Sequence, residues 1–183
     1  KDMANNWDRN SSEHRHYYQS SQLIQAYRLY TLALAGKAAI GAMNRMREIS
    51  DLSVTSKWRL ASAYYLAGRE EVAKEMVKDL VTQVQPYKEL SYSYGCQARD
   101  LSMIFEALVI MNESGKAKGL FDDVTENMRS SRWYSTQTTA YSLLSIAKFI
   151  GDTGTSPGLN FDVTINGKTT DIKSSKPISQ TDL

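Results

Sequence analysis

Leu60-Ala61-Ser62-Ala63-Tyr64-Tyr65-Leu66-Ala67-Gly68-Arg69-Glu70-Glu71-Val72-Ala73-Lys74-Glu75-Met76-Val77-Lys78-Asp79-Leu80 holds two helices of different character and the turn between them. Leu60, Ala63, Tyr64 and Ala67 recur at i, i+3, i+4 and i+7, the spacing of one buried helical stripe. Gly68 then supplies the left-handed residue that commonly closes a helix. Beyond it Ala73, Met76, Val77 and Leu80 form a narrower stripe among Lys, Glu and Asp, so one face of the second helix meets water. An apolar helix, a glycine turn and an amphipathic helix in succession describe an αα-hairpin.

The same alternation extends in both directions. Leu23, Ala26, Tyr27 and Tyr30 precede it; Leu101, Ile104, Phe105 and Leu108 follow; Ala140, Leu143, Leu144 and Ala147 come last. Each set is expected to face inward, with Gly36, Gly115 and Gly151 capping these helices as Gly68 does. Ala117, Leu120, Phe121 and Val124 repeat the narrower stripe of an outer helix. The expected fold is mainly α: stacked αα-hairpins whose apolar members lie inside an amphipathic layer. Leu34-Ala35-Gly36 and Leu66-Ala67-Gly68 lie 32 residues apart, whereas Gly115 follows Gly68 by 47, so the repeat has no fixed period.

After Gly151 the run Asp152-Thr153-Gly154-Thr155-Ser156-Pro157-Gly158 cannot continue a helix and reads as a linker. Phe161, Val163 and Ile165 then alternate with polar residues up to Asn166-Gly167, a dipeptide that favours a type I′ hairpin turn, and Thr169 to Ile172 return. A lone hairpin is marginal in water, so this short C-terminal β-segment is expected to begin a further domain of a longer protein. The expected organisation is a lead-in over 1–19, a helical domain over 20–152, and a linker with β-segment over 153–183.

Composition narrows the function. Lysine and arginine number 22 against 20 aspartates and glutamates, with both signs scattered, so no basic stripe exists for nucleic acid or anionic lipid. No run of about 18 apolar residues suggests a membrane span. The single cysteine, Cys96, cannot form an internal disulfide and fits a reducing cytosol and a bacterial envelope equally.

Candidate reactive groups are few. Cys96 precedes a helix whose dipole favours a thiolate, but no histidine lies near it in sequence, and an isolated thiol is usually a small buried hydrophobe. His14 and His16 have no cysteine or acidic companions, whereas a closed zinc site normally needs four ligands. Asp122, Asp123 and Glu126 share a helix with the stripe through Val124 and fall on its wet side. Asn10-Ser11-Ser12 and Asn112-Glu113-Ser114 match the glycosylation triplet, a pattern short enough to arise by chance. No catalytic, cofactor or metal residue is assigned. The informative segment is Trp133-Tyr134-Ser135-Thr136-Gln137-Thr138-Thr139-Ala140. Ser135 or Thr136 is expected to cap a helix, with Trp133 as an apolar anchor before it and Gln137 bonded in its first turn.

With that segment in view, the chain resembles the thioester-type helical domain of the α2-macroglobulin family, in its bacterial branch. There a Ser-Thr-Gln followed by Thr-Ala and a Leu-rich helix opens one of the last inner helices of an α/α toroid. Leu29-Tyr30-Thr31-Leu32-Ala33-Leu34-Ala35-Gly36, Ala42-Met43-Asn44-Arg45-Met46-Arg47, Ala61 to Gly68, and Tyr94-Gly95 with Arg99-Asp100 follow in the expected order. The resemblance covers about residues 20 to 152. It implies a partial toroid followed by a β-domain, in a protein that traps proteases and lies in the bacterial periplasm or outer envelope. Its partners would be target proteases and the other domains of its own chain. The family's covalent capture uses a Cys-x-x-Gln thioester, but Arg99 stands three residues after Cys96. The thioester is therefore either upstream of Lys1 or absent, and the segment is expected to be structural rather than enzymatic. A tetratricopeptide-like scaffold is one alternative, opposed by the irregular period. An α/α-toroid enzyme acting on glycans or prenyl groups is another; it would need inward acids, for which the inner helices offer only Asp100 and Glu106.

Overall fold

The structure, a computed structural model, describes residues 1–7, 15–87, 95–152, 159–165 and 167–174. Its helices are α1 (Asp2–Asn5), α2 (Arg15–Leu34), α3 (Ile40–Arg47), α4 (Val54–Leu66), α5 (Glu70–Val77), α6 (Gln97–Ile110), α7 (Ser114–Arg129) and α8 (Thr136–Asp152). Two strands, β1 (Leu159–Ile165) and β2 (Lys168–Ser174), complete the described residues. The chain is mainly helical with a short antiparallel C-terminal hairpin, as the patterning requires. The helical run begins at Arg15, ahead of residue 20, and closes at Asp152. The linker residues 153–158 lie outside the described residues.

The apolar helices form an inner row in chain order: α2 against α4, α4 against α6, and α6 against α8. α3, α5 and α7 pack on their inner neighbours as an outer layer. Helices α4 and α6 are sandwiched. From Thr55 to Tyr64 only Lys57 is not fully buried, and the core runs through Trp58, Leu60, Tyr64, Ile104, Phe105 and Leu108. A helix apolar around most of its circumference has no wet face, which is why it sits in the middle. The outer stripes also lie as expected, with Ala73, Val77, Ala117 and Val124 buried.

Three inner helices end in the same turn. Gly36 and Gly68 adopt φ of +68° and +71°, and the next amide reaches back five residues, Lys37 to Leu32 and Arg69 to Tyr64. This is the Schellman arrangement. The third such turn corrects the expectation for Gly115. Here Asn112 takes φ of 58° and the Glu113 amide bonds the Leu108 carbonyl, while Gly115 sits in the first turn of α7. Asparagine tolerates the left-handed region because its short polar side chain bonds locally. Gly151 is not a cap either, since α8 continues through it.

Two inner stripes differ from expectation. In α2 the buried residues are Gln22, Gln25, Ala26, Leu29, Tyr30 and Ala33, whereas Tyr27 is 39% exposed. Both glutamines bond across elements: Gln22 accepts from the Ser53 amide and Gln25 donates to the Ala4 carbonyl, while Gln25 Oε1 has no hydrogen-bond partner among the described residues. In α8 the phase is reversed. Ser135, Thr138, Ser142 and Ser145 are buried, while Leu143 and Leu144 are 55% and 47% exposed and Ala140 and Ala147 face solvent. Small hydroxyl side chains let α8 approach α6 closely. Ser142 Oγ lies 2.9 Å from Ser102 Oγ, and each also bonds the carbonyl four residues back, so neither hydroxyl is buried unpaired.

The hairpin follows the sequence closely. Ile165 pairs with Lys168 across a two-residue turn in which Gly167 has φ of +79°, and Phe161 faces Ile172. Asn166 lies outside the described residues.

Candidate functional site

The inner row encloses charge. Arg59 of α4 and Glu106 of α6 are 0% and 1% exposed, and Arg59 Nη1 donates to Glu106 Oε2 at 2.7 Å. The other carboxylate oxygen accepts from the Tyr30 hydroxyl of α2, at 3.1 Å, and from the Lys148 ammonium of α8. All four inner helices thus meet at one carboxylate. The Arg59 guanidinium lies 4.4 Å from the centre of the Tyr30 ring and 5.8 Å from that of Tyr27, a cation–π arrangement. Its Nε and Nη2 donate to no acceptor among the described residues.

Electrostatics fix the protonation states here. Burial pushes the Glu106 carboxyl up, but Arg59 and Lys148 together outweigh burial and hold it below the ordinary glutamate range. Burial pulls Lys148 down, yet its bond to Glu106 leaves it above the ordinary lysine value. Tyr30 is raised by burial and by the adjacent carboxylate. Glu106 and Lys148 are thereby held charged, and Tyr30 neutral, at neutral pH. Both Glu106 oxygens are already engaged, so this arrangement has the character of a clamp and not of a general acid or base.

A second cluster lies at the N-terminal end of α6. Arg99 Nε donates to Asp100 Oδ1 at 2.8 Å, Nη1 to Gln137 Oε1 at 2.8 Å, and Nη2 to the Tyr87 hydroxyl at 3.1 Å. Tyr87 in turn donates to Asp100 Oδ2 at 3.0 Å, and Thr55 reaches the same oxygen from α4. The Tyr87 hydroxyl is raised by burial and by Asp100. Arg99 can lie there only because residue 95 is glycine: a Cβ at Gly95 would sit 1.9 Å from Arg99 Cζ. Arg99 is held above the ordinary arginine value; burial opposes the shift and Asp100 drives it. The cluster ties α4, α6, the 81–87 segment and the start of α8 together.

The expected motif around Trp133 divides. Ser135 is the cap, accepting from the Thr138 amide at 3.3 Å, and Thr136 opens the helix with its side chain exposed. Gln137 bonds Arg99, a partner that local capping logic does not supply. Trp133 is 69% exposed, which corrects the packing expected of it.

Cys96 is buried, with Sγ 3.7 Å from Thr138 Oγ1. Asp122, Asp123 and Glu126 are exposed on α7. Asn112 Nδ2 donates to the Tyr65 hydroxyl. His14 and the Asn10 triplet lie outside the described residues, as does the side chain of His16. Among the described residues no group of three or more His, Cys, Asp or Glu side chains converges as for a metal, and no helix is long and apolar enough to cross a membrane. Sequence reasoning missed Arg59, Tyr30 and Lys148. The signal available was a cation directly flanked by apolar residues inside a helix, as in Trp58-Arg59-Leu60 and Ala147-Lys148-Phe149.

The chain matches no known protein family, no curated protein and no solved structure.

Proposed function

We propose that this chain is a structural helical segment of an α2-macroglobulin-like protease trap, without a thioester motif of its own. The observation that carries the proposal is the inner row α2-α4-α6-α8, flanked outside by α3, α5 and α7 and followed by a β-hairpin. That order is the one an arc of an α/α toroid leading into a β-domain would have, and it supports the reading. The two inward acids weigh against a toroid enzyme, since Glu106 is neutralised by Arg59 and Lys148 and Asp100 by Arg99. Proteases would be bound by the assembled protein, with this segment as framework, in a periplasmic or envelope setting.

The test is trapping by the natural protein that carries this chain. After incubation with trypsin, cleavage of a large protein substrate should fall steeply while cleavage of a tripeptide anilide persists, because a trap excludes substrates by size. Equal retention of both activities, or equal loss, contradicts the proposal.

A further inference from the structure

The inner row ends in two helices that each leave one apolar flank bare, bordered by Arg28 on α2 and Lys148 on α8. On α8 the exposed positions include Thr136, Gln137, Ala140, Leu143, Leu144 and Ala147, a stripe along the whole helix. On α2, Ile24 and Leu34 are 49% and 56% exposed. The flanks adjoin where Tyr27 of α2 meets Tyr141 of α8, ring centres 6.0 Å apart. The outer helices are different: α5 and α7 expose Glu71, Lys74, Glu75, Lys118, Asp122 and Asp123. An apolar stripe of this extent on a protein surface marks an interaction site.

We propose that a second copy of this chain covers the α2/α8 face, with two-fold symmetry. Ala140-x-x-Leu143-Leu144-x-x-Ala147 reads the same in both directions. In an antiparallel helix pair about a two-fold axis, residue i meets j and j meets i. An axis between Leu143 and Leu144 sets these leucines against each other at the centre and Ala140 against Ala147 at both ends, where small side chains allow close approach. The one charge bordering the stripe is Lys148, 32% exposed beside Tyr30, and an axis between Leu143 and Leu144 sets it opposite Thr139 of the copy, so symmetry does not bring the two ammonium groups together. The pairing also continues an existing contact, since α8 packs on α6 with one flank and would meet its copy with the other. Area sets the strength. The 17 residues of α8 span about 25 Å and two adjoining helices about 20 Å, giving roughly 500 Å² per copy, about 1,000 Å² in all. That is the lower edge for a specific interface, so the dimer is a weak one.

Sedimentation equilibrium of the full chain across the micromolar range tests this, independently of the protease-trap proposal. The expected mass rises with concentration from 20.6 kDa toward twice that value. Leu143→Glu with Leu144→Glu should hold the chain at the monomer mass while its thermal melt at low concentration stays that of the parent. Leu34→Glu, on the neighbouring helix, makes the same test should the double variant unfold. A parent chain that is monomeric throughout, or a dimer that survives these substitutions, overturns the proposal. So does a monomer that floats with phosphatidylcholine vesicles, which would assign the face to lipid.

Discussion

Glu106→Gln should destabilise the protein by about 3 to 5 kcal/mol, the cost of leaving a buried charge without its partner. The glutamine keeps size and shape but loses the negative charge that Arg59, fully buried, and Lys148 both face. A denaturant melt reads the loss. The pH dependence gives an independent check. Glu106 has a folded-state pKa below its unfolded value, so its contribution is present above the ordinary glutamate range and is lost as pH falls through the folded value. Parent and variant should therefore converge in stability as the solution is acidified. A difference that stays constant from neutral to strongly acid pH would assign the effect to packing.

Trp58→Ala should cost about 3 to 5 kcal/mol, and Trp133→Ala less than about 0.5 kcal/mol. Trp58 is 1% exposed, packs within the core, and donates from Nε1 to the Val81 carbonyl at 2.9 Å. Its removal empties a large site and frees the segment that carries Tyr87 to Arg99. Trp133 sits in solvent. Thermal melts of the two variants side by side are the measurement, and comparable losses from both would contradict the placement of α8.

These contrasts show where sequence was informative. For α4 and α6 the period and phase were both readable, because apolar side chains cover most of each helix and any stripe drawn through them is inward. The hairpin was readable from Asn166-Gly167 and the alternation on either side of it. α8 was readable in period but not in phase: leucines are normally the buried set, and here serine and threonine hydroxyls that bond back to their own helix serve as a close-packing surface. The turn at Asn112 hid behind Gly115 because both residue types suit a helix end. The ion cluster was the least visible. Arg59, Glu106 and Lys148 lie on three helices separated by loops of irregular length, and only the packing of the inner row brings them to one point.

That convergence makes a prediction about cooperativity. Native-state hydrogen exchange of the parent chain should give amides at the centres of α2, α4, α6 and α8 one shared opening free energy, because Tyr30, Arg59, Glu106 and Lys148 join them, while α5 and α7 open more readily. Exchange of α8 through an opening of its own, with α2, α4 and α6 still protected, would contradict a clamped inner row.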